Sequence, residues 1–242
     1  MVRIKGAYHR QLFLPNWWGI FINPFYLARA GLRDEIQLFS SQLSGELLDV
    51  GCGSKPYKPI IKSNSYIGLD IDSSATRTRN VADYFYDGKK FPFSDCRFDS
   101  ILCNQVLEHV FEPIDFIGEM SRVLKPGGIL VISVPFIWDE HEQPFDYARY
   151  STFGLCFLLE KRGFDIIDQR KTLGDASIIF QIANAYLYKV SLQLPKFGRI
   201  LLTISLMALF NVFGTIAQKL SPKNPDLFLD QVVLAKKRYE IL

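Results

Sequence analysis

Several classes of protein are set aside by what this chain has little of. Its four cysteines, Cys52, Cys96, Cys103 and Cys156, form no CxxC or CxxH pair. The usual signatures of a zinc module or a disulfide framework are therefore missing, and a reducing compartment is the simpler setting. The three histidines, His9, His109 and His141, lie far apart in the sequence, so no metal ion is expected. A secretory leader is not evident either. The apolar residues after MVRIKGAYHR are interrupted by Pro15, Asn16, Asn23 and Pro24 before a continuous apolar core can form, and a cytoplasmic location is expected. There is little excess charge, the net being +3, too small by itself to argue for a nucleic-acid partner, and none is expected. No internal repeat or low-complexity tract is present.

What remains is a chain of 242 residues, 48% of them apolar, enough for one sizeable core with attachments. The small net charge hides an uneven distribution. Residues 1–33 hold Arg3, Lys5, Arg10, Arg29 and Arg33 and no acid. Residues 189–238 hold eight basic residues against Asp226 and Asp230. Both ends are also rich in apolar and aromatic residues, a pairing that suits an anionic membrane surface better than a nucleic-acid groove.

From residue 45 onward, strand-like and helix-like segments alternate, the pattern of an α/β fold on a mostly parallel sheet. Strands are expected at 46–51, 66–71, 83–87, 98–104, 128–134, 165–173 and 230–237, and helices at 56–62, 112–124 and 152–162. The helix over 112–124 carries Ile114, Ile117, Met120, Val123 and Leu124 at spacings of three and four and ends in LKPGG. Pro126 and Gly127 there fit a type II turn, whose third residue needs positive φ. Two segments break the alternation: an aromatic stretch before the first strand, with Trp17, Trp18, Phe21, Phe25 and Tyr26, and residues 175–226. The expected organisation is an N-terminal helical cap over 1–43, a ligand-binding domain of 44–174 plus 227–242, and an apolar helical insertion over 175–226.

LLDVGCGSKPY, residues 47–57, reads as a strand feeding a glycine turn, where backbone N–H groups face outward and a ligand can approach Gly51 and Gly53 closely. A dinucleotide fingerprint requires a third glycine for tight helix packing near a pyrophosphate, and Pro56 stands in that place instead. Asp49 beside the loop repels phosphate and attracts a cationic or amine-bearing ligand. Asp70, closing the run YIGLD, is placed to accept both hydroxyls of a ribose. The loop suits a nucleoside without phosphates, and a nicotinamide-dependent oxidoreductase is disfavoured.

Taken together, LLDVGCGSKPY, YIGLDID, YDGKKFPFSDCRFDSILCNQVLEHV and EMSRVLKPGGILVISVP resemble a class I S-adenosylmethionine-dependent methyltransferase. The resemblance covers roughly residues 45–174 and the last strand at 230–237. It implies a Rossmann-like, seven-stranded, mostly parallel sheet with an antiparallel last strand, and S-adenosyl-L-methionine as cofactor. It also implies that Asp49, Gly51 and Gly53 face the methionine portion, Asp70 the ribose diol, Asp87 the adenine amino group, and Asn104 the methionine end. The run HEQPFDYARYSTFG, residues 141–154, resembles methyltransferases encoded with surface-polysaccharide enzymes, which implies a hydroxyl of a sugar or lipid-linked glycan as acceptor.

Methyl transfer from a sulfonium is an in-line displacement that alignment and water exclusion largely catalyse. A hydroxyl acceptor must still lose its proton, and His109 and His141 are the candidate bases. His109, between strand four and the next helix, also reads as a packed or capping residue. His141 lies in a loop with Asp146, Tyr147, Arg149 and Tyr150, which can read a hydroxylated substrate or form a solvated acidic loop with internal ion pairs.

Residues 200–217 carry no charge over 18 positions, the lower limit for crossing a bilayer. A single crossing would strand the segment 230–237 on the wrong side of the membrane. A hairpin through 176–194 would have to insert Gln181, Asn184, Lys189 and Gln193. Thr203, Asn211 and Thr215 fall near one helical face, leaving a broad apolar surface for lipid, a second copy of the chain or the protein's own sheet. The N-terminal aromatic segment has the same choice, as a lid or a peripheral anchor on the inner face of the membrane. A lipid or quinone acceptor, and a non-catalytic membrane-associated scaffold with the same fold, are the alternatives.

Overall fold

The computed structural model describes residues 2–239, with backbone alone for residues 2–5 and 7. Met1, at the edge of the N-terminal cap, and residues 240–242, at the end of the last segment, lie outside the described residues. So do the side chains of Arg3 and Lys5, part of the basic N-terminal charge.

The strands are β1 (Glu46–Val50), β2 (Ser65–Ile71), β3 (Tyr84–Tyr86), β4 (Phe98–Asn104), β5 (Leu124–Pro135), β6 (Phe164–Lys171) and β7 (Asp230–Lys237). They form one sheet in the order β3-β2-β1-β4-β5-β7-β6. The β1, β2, β3, β4 and β5 pairings are parallel, with Asp49 opposite Gly68 and Leu102. β7 runs antiparallel, Arg238 N–H bonding Gly163 O at one end and Thr172 N–H bonding Asp230 O at the other. This is the sheet the sequence implies. β1 and β4 are buried on both faces, as continuous apolar strands in such sheets are. The chain leaves β1 toward β2 and β3 and returns on the opposite side as β4, so the order reverses between β1 and β4. That reversal opens a crevice at the strands' C-terminal ends, where ligands bind in open α/β sheets.

Contacts divide the chain into two compact units. One comprises the residues up to Glu35, Ile137–Asp139 and Lys171–Asp230, and the other Ile36–Phe136, Glu140–Arg170 and the residues from Gln231 on. The sheet unit buries a core that includes Leu48, Val50, Leu69, Phe98, Ile101, Ile132 and Phe164. Its helix Pro113–Val123 turns Phe116, Ile117, Met120 and Val123 inward, and Thr152–Lys161 buries Leu155 and Leu159.

Three local readings change. The expected helix at 56–62 is a turn with one 3₁₀ segment, Lys58–Ile60. Pro56 and Pro59 supply no N–H for a continuing helical ladder, and Lys55 leaves helical geometry with φ +53°. A short helix, Ser74–Arg79, has no apolar period to announce it and is fixed by a capping box between Ser73 and Thr76. LKPGG lies inside β5 as an irregularity, Phe98 pairing with Leu124 but Ser100 with Ile129. Gly127 takes the positive φ, +76°, that the turn reading required.

The second unit is helical: Val2–Phe13, Gly19–Ile22, most of Tyr26–Phe39, Ser177–Ser191, and a run from Lys196 to Leu220 with a π-turn at Thr203–Met207. Its small core includes Leu27, Ala28, Leu173, Ile178 and Leu229. Polar residues knit the helices together. Asn184 Nδ2 donates to Asn211 Oδ1 at 2.9 Å, and Asn211 Nδ2 donates to the carbonyls of Ile20 and Asn23 at 2.8 and 2.9 Å. Gln181 accepts from Ala28 N at 3.0 Å. Gly214 lets the last helix approach Leu27, whose Cδ1 would stand 2.3 Å from a β-carbon there.

Candidate active site

The glycine turn sits at the end of β1 in the crevice. Gly51 and Gly53 both have positive φ, +69° and +52°, a conformation that favours glycine. A β-carbon at Gly51 would stand 2.4 Å from Val106 Cγ2, whereas at Gly53 the nearest atom, on Arg79, is 3.8 Å away. Gly51 is thus fixed by packing, and Gly53 opens onto free space. Among the described residues no α-helix opens directly after the turn, only the 3₁₀ segment Lys58–Ile60, so the usual phosphate seat is missing there.

Two carboxylates border this cradle. Asp70, at the end of β2, receives the N–H groups of Ile71 and Gly53, and burial still raises its pKa above the ordinary value. Asp49 is buried, and burial pushes its pKa up to about 7 against the opposing hydrogen bond from Tyr66, whose hydroxyl donates to Oδ2 at 2.6 Å. A buried carboxylate so disposed attracts a cation into the crevice. Asp87 is exposed after β3, its Oδ1 accepting the N–H groups of Lys89 and Lys90. Asn104 ends β4 and accepts from Ser133 Oγ at 2.7 Å.

Val106, packed against Gly51, leads into the 3₁₀ turn Leu107–His109, and His109 N–H bonds Val106 O at 2.9 Å. The 140–150 loop folds onto this turn, Tyr147 N–H donating to Glu108 O at 2.8 Å. His109 and His141, 32 positions apart, are brought to a ring-centroid separation of 4.7 Å. His109 Nδ1 lies 2.8 Å from Phe145 O. A carbonyl can only accept, so Nδ1 carries the proton and Nε2 has its lone pair free of it. Burial lowers the pKa of His109, keeping the ring neutral. His141 Nδ1 lies 3.3 Å from Asp146 Oδ2, and Asp146 is clamped by Arg149 through two contacts of 2.6 and 2.7 Å. That guanidinium holds the Asp146 carboxyl down at about 2. Glu108 is completely buried, its Oε1 3.9 Å from His109 Nε2.

The residues singled out in sequence therefore separate into groups. Asp49, Gly51, Gly53 and Asp70 line one cradle, with Asn104 at the neighbouring strand end. His109 and His141 stand together, and Asp146 and Arg149 support His141. Tyr150 packs against the core, with burial raising its pKa to about 12. Tyr147 is exposed and meets exposed Phe111 edge to face at 5.3 Å, an aromatic platform beside His109. Sequence reasoning missed Tyr66 and Glu108. The acid within the apolar run VLEHV was the available signal for Glu108, since a lone carboxylate there must be buried or functional.

A family profile for the methyltransferase domain matches residues 26–169. This chain belongs to that methyltransferase family. A "probable S-adenosylmethionine-dependent methyltransferase" of Mycolicibacterium smegmatis is 30% identical over 142 residues, covering 53% of this chain and 54% of that protein. A fatty-acid O-methyltransferase of the same organism is 32% identical over 118 residues, 40% of this chain and 41% of that one. The chain thus spans about half the length of these curated relatives. Among solved structures, a SAM-dependent methyltransferase from Archaeoglobus fulgidus superposes with a TM-score of 0.57 at 16% identity, covering 92% of this chain and all of that one, which shows the shared fold. S-adenosyl-L-methionine is the cofactor of this methyltransferase fold, and the cradle fits it. Gly53 opens onto space, and the buried carboxylates of Asp49 and Asp70 border it without a phosphate seat between them.

Proposed function

We propose that this methyltransferase moves the methyl group of S-adenosyl-L-methionine to a hydroxyl of a small-molecule acceptor, with a sugar or lipid-linked glycan as the acceptor class. The observation that carries the reading is the junction at Val106, where the cofactor cradle meets the turn bearing His109 and, beside it, His141. The cofactor supplies an electrophilic methyl group. Asp49, Gly51, Gly53 and Asp70 hold and orient it, with Asp87 assigned to the adenine and Asn104 to the methionine end. His109 Nε2, proton-free and desolvated, accepts the acceptor's hydroxyl proton as the methyl–sulfur bond breaks and the methyl–oxygen bond forms, leaving neutral S-adenosylhomocysteine. The Phe111–Tyr147 platform offers an apolar face for a sugar ring.

A second reading, a lipid acceptor at a membrane surface, is favoured by the helical unit. The helix Lys196–Leu220 buries Asn211 and exposes Phe197, Ile200, Leu201, Ile204, Leu209, Phe213, Ile216 and Leu220. This reverses the usual arrangement of a helix facing water. Exposed Trp17, Trp18 and Phe21 belong to the same unit, and Lys196, Arg199 and Lys219 flank the apolar run. Such a face suits a peripheral position at the headgroup level of an anionic bilayer. The fatty-acid O-methyltransferase among the relatives makes the lipid acceptor concrete.

The test is transfer of labelled methyl from S-adenosylmethionine to a panel of undecaprenyl-linked sugars, free sugars, fatty acids and quinols, with and without anionic vesicles. Label in a sugar ether supports the first reading, and label in a fatty-acid ester or quinol ether the second. Cofactor binding with no labelled product anywhere in the panel would favour the non-catalytic scaffold.

A further inference from the structure

We propose that Glu108, His109 and His141 form a binding site for a divalent transition-metal ion, with zinc the ion that their donor set suits best. One ligand atom from each residue lies within 4.8 Å of the others. Two imidazoles and a carboxylate are the three-ligand set of catalytic zinc sites, which leave a further position for water or an acceptor oxygen.

The surroundings argue for more than chance proximity. A metal-bound histidine nearly always donates its other ring N–H to a carbonyl or carboxylate, which fixes the tautomer and aims the free nitrogen. Both histidines have that arrangement: His109 Nδ1 faces Phe145 O at 2.8 Å, and His141 Nδ1 faces Asp146 Oδ2 at 3.3 Å. With the proton on Nδ1, His109 presents Nε2 as a lone-pair donor. His109 Nε2 stands 3.9 Å from Glu108 Oε1, two electron-rich atoms facing each other where a bound cation would attract both. The loop bearing His141 is anchored to the ligand turn itself, through Tyr147 N–H on Glu108 O, and Arg149 locks Asp146 behind His141. Closing the three donors around one ion requires shifts of about 1 Å, given metal–ligand bonds near 2.0–2.2 Å.

The ion's role rests on the methyl-transfer reading: with metal on His109 Nε2 that nitrogen is no longer a proton acceptor, and the ion in its place would hold the acceptor hydroxyl and ease loss of its proton to solvent. Its binding does not. The full chain, stripped with chelator, is titrated with zinc chloride by calorimetry and with cobalt(II) by visible absorbance, and S-adenosylhomocysteine is titrated in parallel. The expected result is one equivalent of metal, cobalt bands of four- or five-coordinate geometry, and at least tenfold weaker binding in His141→Ala and in Glu108→Gln. Asp146→Asn, which removes only the supporting carboxylate, should weaken binding by about 10- to 100-fold. S-adenosylhomocysteine binding by each variant reports that it has folded. Absence of metal binding by a wild-type chain that binds S-adenosylhomocysteine overturns the proposal and leaves a histidine pair working without a metal. Binding that survives unchanged in His141→Ala overturns it too, placing the metal at surface groups such as exposed Cys96 or His9. Metal bound through the three residues without methyl transfer to any acceptor would refute the catalytic reading while the site stands.

Discussion

Asp49 links cofactor binding to pH in a way that can be worked out beforehand. Its folded pKa, about 7, lies some three units above the ordinary 3.8 because the carboxyl is buried. Between pH 4 and 7 the folded protein therefore holds a proton that the unfolded chain has lost. The ligand-free protein loses stability as pH rises through that window, with the loss complete above pH 7. At 1.36 kcal/mol per unit the penalty reaches about 4 kcal/mol, an upper figure for a site beside Lys55. Asp49→Asn removes the titrating group, so its melting temperature should fall less than the wild type's between pH 5 and 7.5. A ligand carrying an ammonium and a sulfonium favours the ionised carboxylate. S-adenosylmethionine should then bind about tenfold more tightly per pH unit up to pH 7, releasing one proton below it, and level off above until its own amine titrates near pH 8. S-adenosylhomocysteine, without the sulfonium, should show a shallower dependence. The assay is calorimetry at pH 5.5, 6.5, 7.5 and 8.5 in two buffers of different ionisation heat, which counts protons directly. A flat affinity with no proton release in the wild type, or an identical slope in Asp49→Asn, would refute the reasoning.

Three further outcomes follow from the packing. Gly51→Ala must place a β-carbon 2.4 Å from Val106 at φ +69°, so it should cost about 1–3 kcal/mol in urea unfolding and weaken S-adenosylhomocysteine binding at least tenfold. Asn211→Leu leaves the carbonyls of Ile20 and Asn23 without their donor in a buried site and should lower stability by roughly 2–4 kcal/mol, read by thermal melting. Ile204→Ser with Phe213→Ser, both on the exposed face, should reduce co-sedimentation with anionic vesicles several-fold while the melting temperature holds or rises; unchanged partition would refute the interfacial role.

Much of the sheet was legible because parallel, doubly buried strands are short apolar runs bounded by turns, and glycines and acids at their C-terminal ends mark the crevice. The cradle was legible for the same reason: Asp49, Gly51 and Gly53 alternate across the end of β1 and its turn, and Asp70 lies near the end of the adjacent strand. What pairs across strands was less visible. Tyr66 reaches Asp49 because Asp49 aligns with Gly68, which puts Tyr66 two positions back on the same face. The histidine pair was hidden further, since 32 residues and a crossover separate His109 from His141 and spacing says nothing about where a crossover returns. The helical unit hides its contacts in another way. Gln181 and Asn184 read as obstacles to membrane insertion, but the fold uses them with Asn211 as buried partners between helices, and the apolar residues point outward.

We propose that the Gly51–Gly53 turn with Asp70 binds S-adenosylmethionine. Calorimetric titration of the full chain with S-adenosylhomocysteine, beside Asp70→Ala and with NAD as a control, tests it most directly. We expect a dissociation constant of about micromolar order, roughly −8 kcal/mol, with at least tenfold loss in the variant and no heat from NAD. No binding by the folded wild-type chain, or equal binding by Asp70→Ala, would contradict it.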